Sequence, residues 1–393
     1  MRETEAILTA YDNARQEGQK CVLATVVHVE GSSYRAAGAR MLVDELGFMT
    51  GAISGGCLEG DALRKALLAL DQGKNKLVSY DTSDEDDAII GAQLGCNGII
   101  QVLFEPVDPA QGQDQEDNPV EFLRKTEQYD SPVALVSIFN LDKTKSQQGT
   151  SLLIDETGYT TGQLNDSALS QKIGEIAQRA LENQQNHFGE YKSSTQNQNQ
   201  IQTQHAFIEI IPPPPTLVLI GAGNDAQVLS RMAEVLGWDI VVADGRPTHA
   251  NKQRFNSCQV VVANPGEILE DIQINQNTAF VLMTHNYTYD LAVLKLLLKE
   301  DEIPYIGILG PKKKHRRMMD DLRADGVSLT DRQRFKLYAP VGLQLGAETP
   351  AEIGLSILAE IQAVLTGSEV RHLRQLKGSI HKKNHHAFET IQL

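Results

Sequence analysis

Apolar residues recur at helical spacing over residues 4–17, where Ile7, Leu8, Tyr11 and Ala14 fall on one face. The next segment, CVLATVVHVEGSS, is apolar almost throughout and reads as a buried β-strand ending in a glycine turn. ARMLVDELGFMTGAIS has the pattern of a hairpin turning near Glu45-Leu46-Gly47. A helix is expected from about Leu58 to Leu70, with strands at LVSYDT and GIIQVLFEPV. Further strands (ALVSIFNL, SLLIDETG) and a helix from Ser167 to Leu181 follow a polar connector, PAQGQDQEDN. The stretch from about 191 to 204 is polar and low in complexity and reads as a loop or hairpin tip.

Four consecutive prolines, Pro212 to Pro215, fit neither a sheet nor a helix and mark a stiff spacer between domains. Beyond them the pattern changes. TLVLIGAG, WDIVVADGR, QVVVAN, TAFVLMTH and YIGILG are short apolar runs that alternate with helical segments at Ala226 to Leu236, Tyr289 to Lys299 and Lys312 to Ala324. Such alternation implies βαβ units and a parallel sheet. Thr349-Pro350-Ala351-Glu352 is a capping box opening a last helix, which runs to Leu365 and stops at Gly367. The expected fold is therefore α/β: a C-terminal Rossmann-like parallel sheet with helices on both faces, preceded by an N-terminal α+β domain. The divisions are 1–211, the linker 212–215, 216–370, and a basic, histidine-bearing tail at 371–393, where a frayed end is favoured over a metal site.

Composition narrows the functions. The chain has 393 residues, 41% hydrophobic and 22% charged, which is ordinary globular usage. Its formal net charge of −15 argues against nucleic acid and anionic membrane surfaces as partners, while leaving room for one small basic pocket. Four cysteines, with no CxxC pair, argue against a disulfide framework and a structural zinc site. The polar N-terminus and the lack of a long apolar run point to a cytoplasmic protein.

Four clusters carry chemistry. Leu217 to Ile220 lead into Gly221-Ala222-Gly223-Asn224-Asp225-Ala226, a GxGxxA turn between strand and helix, with Asp244 ending the next strand where a ribose-binding acid would sit. This is a nucleotide-type fold signal; NAD(P) as ligand is one reading and a turn needed only for packing is another, and Asp225 beside a phosphate weighs against NAD. Arg246 either favours a phosphate or pairs with Asp244. His285, after the strand VLMT, stands where α/β folds bind ligands or serves as a cap. In the N-terminal half, Gly31 to Arg40 joins Ser32, Arg35 and Arg40 to two glycines, Gly31 and Gly38, a composition suited to an oxyanion or phosphate. Gly55, Gly56 and Cys57 precede a helix, whose dipole favours a thiolate. Cys96 lies between Gly95 and Asn97-Gly98. Both cysteines also suit small buried positions in tight turns.

Taken in order, GSSYRAAGARMLV, GAISGGCLEGD, AQLGCNGIIQVLFEP, LVLIGAGNDAQVLSRMAEVLGWDIVVADGRP, VLMTHNYTYDLAVLKLLL, YIGILGPKKK and APVGLQLGAETPAEIGLSILAEI resemble the xanthine dehydrogenase accessory protein family (XdhC/CoxI type) over most of the chain. The chain departs from the family pattern at Tyr34, Ala36-Ala37 and Asn97. The resemblance implies a maturation factor, not an enzyme in its own right, that binds the molybdenum cofactor, protects it during sulfuration and delivers it to an apo molybdenum hydroxylase. On that implication Ser32, Arg35 and Arg40 hold the phosphate or pterin, Cys57 and Cys96 approach molybdenum, and a cysteine desulfurase and the apo-enzyme are partners of a homodimer. Two other functions compete: an NAD(P)-dependent oxidoreductase using Gly221, Gly223 and Asp244, and an interaction scaffold with a vestigial nucleotide fold.

Overall fold

The computed structural model describes residues 2–31, 33–81, 98–108, 118–164, 166–194, 201–376 and 389–392. The chain divides into two compact units, Glu3–Pro213 with Leu376–Leu393, and Met1–Arg2 with Pro214–Gln375.

The first unit opens with α1 (Arg2–Gln16), whose Ile7, Leu8, Tyr11 and Ala14 are buried. A five-stranded antiparallel sheet follows: β1 (Cys21–Gly31), β2 (Arg40–Asp44), β3 (Met49–Gly51), β4 (Lys76–Asp81) and β5 (Gly98–Val107), in the order β3-β2-β1-β5-β4, with α2 (Glu59–Gln72) between β3 and β4. After α3 (Pro119–Thr126), a second sheet is built from β6 (Val133–Phe139), β7 (Gly149–Ile154), β8 (Thr160–Gly162), β9 (His187–Ser194) and β10 (Ile201–Ile211), with α4 (Ser167–Asn183) crossing between β8 and β9. Its order is β9-β10-β6-β7-β8, and a short strand at Glu389–Gln392 lies parallel to β9.

Side-chain alternation along the strands explains the layering. Val22, Ala24 and Val26 of β1 pack against Ala62, Ala66 and Ala69 of α2. Cys21 and Leu23 point the other way, into a core shared with α1 and with Val133, Leu135 and Leu153 of the second sheet. Ala134, Val136 and Ile138 then face Ile173, Ile176 and Ala177 of α4. The unit is thus a helix, two stacked sheets and a helix. Because both sheets are covered on both faces, β6 and β7 are buried along their whole length, as is β1 except for its last two residues.

Of the loop and the hairpin tip that the polar stretch near 191–204 allowed, the structure has the hairpin, with strand reaching further into the stretch than its composition suggests. β9 runs to Ser194 and β10 resumes at Ile201, so only 195–200 lie outside the described residues. Ladder hydrogen bonds need backbone alone, and Tyr191, buried against α4, anchors the strand. Likewise, part of the tail adds a strand to the sheet.

The second unit holds β11 (Thr216–Ile220), α5 (Asn224–Leu236), β12 (Asp239–Ala243), β13 (Gln259–Val261), β14 (Thr278–Leu282), α6 (Tyr287–Leu297), β15 (Tyr305–Ile308), α7 (Lys312–Ala324), α8 (Asp331–Phe335), β16 (Leu337–Tyr338) and α9 (Pro350–Leu365). The strands are all parallel in the order β13-β12-β11-β14-β15-β16. α5 and α9 cover one face, and α6 and α7 the other. This is the doubly wound, Rossmann-type arrangement, and its order reverses between β11 and β14. The Thr349–Glu352 capping box opens α9 as its sequence implies.

Candidate functional site

Two separate groups of residues stand out, one in each unit. In the first unit, the turn after β1 and the glycine loop before α2 meet through α1. Glu3, in the first turn of α1, takes both arms of the Arg35 guanidinium, with Nη1 donating to Oε1 at 2.8 Å, and the same oxygen accepts the amide of Ala52 at 3.1 Å. The exposed ring of Tyr34 lies over Gly55, where a Cβ would come within 3.1 Å of it. A side chain at Gly55 would have to displace that ring slightly, and Gly56 follows at φ +107°, a left-handed conformation that favours glycine.

The loop is held from beneath by Ser54 and Glu59. Ser54 Oγ donates to Glu59 Oε2 at 2.6 Å and accepts from the amides of Gly56 and Leu58 at 3.2 and 3.1 Å. Glu59 also accepts the amides of Ser54 and Leu58. Cys57 sits on this scaffold, half-buried, with its Sγ 3.6 Å from Ser54 Oγ. The turn carrying Arg35 and the loop carrying Gly55, Gly56 and Cys57 are therefore tied together through Glu3 and Tyr34, and Arg35 itself is engaged by Glu3.

Arg40 is placed elsewhere. It lies between the two sheets and pairs with Glu209 of β10, with Nη1 also donating to the carbonyl of Gly38 at 2.8 Å. A guanidinium excluded from water must find an acid, and here the partner is internal. Ser32 and Cys96 lie outside the described residues. Among the described residues no cluster of three histidines, cysteines or acids is arranged to hold a metal ion.

In the second unit the glycine turn closes as its pattern implies. Gly221 has φ +122°, and a Cβ there would come within 2.7 Å of the Met283 backbone. Gly223 caps α5 with open space around it. Asp244, at the end of β12, is buried. Its Oδ2 accepts the Ala222 amide at 2.8 Å, and Arg246 grips both oxygens through Nε at 2.9 Å and Nη2 at 2.8 Å. Burial alone would raise the Asp244 carboxyl, but the Arg246 guanidinium and the Ala222 and Arg246 amides outweigh it and hold the group below its usual value. Both oxygens thus serve the turn, which disfavours the role of open ribose acceptor in an NAD site.

His285 is exposed at the end of β14 with φ +59°, unusual for a side chain with a Cβ. The segment beside it is fixed: Thr284 Oγ donates to Asp290 Oδ1 at 2.6 Å, and Lys314 Nζ donates to Asp290 Oδ2 at 2.6 Å. Together Gly221, Gly223 and His285 flank the point where strand order reverses.

Sequence reasoning did not find Glu3, Ser54 or Glu59. Glu3 is 32 positions from Arg35, and nothing local marks the pairing. Ser54 and Glu59 did leave a signal, a hydroxyl and an acid bracketing a helix start.

Comparison with known proteins follows this geometry. Residues 14–81 match the XdhC and CoxI family, and residues 217–361 match the XdhC Rossmann domain. The chain is 31% identical to a protein of Bacillus subtilis (strain 168) named as a probable xanthine dehydrogenase subunit, over 90% of this chain and 96% of that protein. It is 25% identical to the molybdenum cofactor insertion chaperone PaoD of Escherichia coli (strain K12), over 89% of this chain and 85% of that one. A crystal structure of a xanthine dehydrogenase from Bacillus halodurans superposes with a TM-score of 0.71 at 30% identity, covering 93% of this chain and 97% of that one. With its N-terminal glycine loops and its Rossmann unit both matched, and its similarity running nearly end to end, this chain belongs to the XdhC and CoxI family.

Proposed function

We propose that this protein is an accessory chaperone for a molybdenum hydroxylase of the xanthine dehydrogenase type: it binds the molybdenum cofactor, protects it for sulfuration and delivers it to the apo-enzyme. The observation that carries the reading is the similarity, over nearly nine-tenths of the chain, to a protein named a molybdenum cofactor insertion chaperone. The residues of the first unit are chemically suited to such a ligand. Arg35 offers a charge-assisted donor fork for a phosphate, the exposed Tyr34 ring a face for a flat heterocycle, and Cys57 a soft sulfur near a metal.

When bound, the cofactor supplies an oxo-molybdenum centre with an exchangeable ligand. This chain's own part is to hold and shield. Gly55 and Gly56 let the backbone approach the ligand, and the Ser54–Glu59 network fixes the loop that carries Cys57. Cys96 is proposed as a second thiol of the same site, with Ser32 beside Arg35. A cysteine desulfurase and the apo-hydroxylase are the proposed protein partners, and a cytoplasmic homodimer the working form. No helix among the described residues is long and apolar enough to cross a membrane, which fits partners met in solution.

Native mass spectrometry of the full chain with added molybdenum cofactor, and separately with NAD(H), tests the reading. A cofactor adduct that weakens in Cys57→Ala and Cys96→Ala supports it. An NAD(H) adduct with no cofactor adduct overturns it, and undiminished cofactor binding in both variants removes the thiols from the site.

A further inference from the structure

The second sheet of the first unit reaches one edge at β9, and the strand that covers this edge comes from the far end of the sequence. β17 (Glu389–Gln392) runs parallel to β9 and pairs with Gly189 to Lys192. A bare edge strand is a template for another chain, so folded proteins shorten such strands or cover them. The opposite edge, β8, is three residues long. β9 has eight residues, and its cover pairs with four of them.

This cover is lightly held. Glu389, Thr390 and Gln392 are exposed, and Ile391 is the one side chain of β17 that packs against the core shared with α4. Thr390 Oγ1 donates to Glu190 Oε1 at 3.1 Å, and a carboxylate oxygen of Glu389 stands 3.9 Å from His187 Nδ1. Burial holds that imidazole below its ordinary value, with Glu389 pulling only partly back, so near neutral pH the acid faces an uncharged ring.

The seat beneath the strand is also incompletely filled. Tyr191 Oη and His187 Nε2 are buried with no hydrogen-bond partner among the described residues, and Tyr191 is only 1% exposed. Polar atoms buried in this way are costly to leave unpaired. The exposed Arg179 of α4 acts on both side chains through its charge and forms no ion pair among the described residues. A strand running along the whole of β9 would gain ladder hydrogen bonds that β17 does not make. An acid at the Glu389 register suits Arg179, and an aliphatic residue two positions later suits the seat of Ile391. We infer that the β9 edge is a docking site for an extended segment of a partner protein with an acid-x-aliphatic pattern, and that the C-terminal strand of this chain occupies the edge until such a segment displaces it.

Fluorescence anisotropy with a labelled peptide of residues 386–393, HAFETIQL, tests this on the full chain. In the unchanged chain the tethered strand competes at an effective concentration on the order of millimolar. The Ile391→Asp chain loses its packed contact and is expected to bind the peptide about tenfold or more tightly than the unchanged chain does. Its β9 amides are expected to exchange hydrogen faster until peptide is added. Peptides carrying Ile391→Asp or Glu389→Lys are expected to bind about tenfold or more weakly than the parent peptide. Ile391→Gly, which removes the side chain without adding charge, is a milder second chain variant expected to show the same direction. No saturable binding to either chain variant, equal affinity of variant and unchanged chains, or affinity indifferent to both peptide changes overturns the inference. A dimer of the unchanged chain that Ile391→Asp dissolves would give the edge to a second copy's tail and overturn it as well. Adding Cys57→Ala to the Ile391→Asp chain is expected to leave peptide binding unchanged, which separates this edge from the proposed cofactor site.

Discussion

Arg40 of β2 and Glu209 of β10 form an ion pair between the two sheets of the first unit, with side chains only 9% and 14% exposed. Removing one partner leaves the other charged and buried. Arg40→Met or Glu209→Leu alone should therefore lower stability by about 3–5 kcal/mol, while the double replacement recovers most of that loss. Urea denaturation of the three variants measures it, and a double variant no better than the singles would show that the pair is not the coupled unit described.

Glu105 gives the same layer a pH dependence. It is wholly buried and accepts from the amide and hydroxyl of Thr150. Burial carries its carboxyl from 4.5 to about 7, with the Thr150 hydrogen bonds and Arg40 pulling only partly back. The folded chain therefore keeps a proton that the unfolded chain releases. This contribution is fully present below pH 4.5 and is lost as pH rises through about 7, at most about 3 kcal/mol. Glu105→Gln should flatten that part of the stability–pH profile, as chemical denaturation at a series of pH values would record.

Glu3 competes with any anion for Arg35. Glu3→Gln removes the negative charge while keeping an acceptor for the Ala52 amide, so it should tighten binding of an anionic ligand several-fold, whereas Arg35→Ala weakens it. Titration with the cofactor under constant salt reads both. Weaker binding in Glu3→Gln would mean that Glu3 positions Arg35 for the ligand.

The two glycines of the Rossmann turn should respond differently. Gly221→Ala puts a methyl into the Met283 and Thr284 backbone at a φ that alanine avoids, and is expected to cost several kcal/mol. Gly223→Ala meets open space at φ −69° and should be nearly neutral. Thermal melts of the two variants distinguish them.

Much of the architecture was legible along the chain. The alternation of apolar runs and helical segments after Pro215 specifies the parallel sheet, and α7 and α9 occupy the spans their patterns predict. Short elements such as α3 and α8 were not anticipated, since five to eight residues give too little periodicity to register. In the candidate site, the glycines, Arg35 and Cys57 announced themselves by composition, but Glu3 and the commitment of Arg40 did not.

By itself the sequence determined the elements, the glycine turns and the family pattern, because local backbone preferences and hydrophobic period are written in neighbouring residues. Tertiary structure decided which charges meet. Arg35 and Arg40 lie in one turn region of the sequence, yet α1 brings Glu3 to the first while β10 brings Glu209 to the second, 169 positions away. The layer in which each guanidinium lies, near the surface beside a glycine loop or between two sheets, is set by how strands alternate and stack. That stacking leaves Arg35 where an anion can compete for it and buries Arg40 in the core.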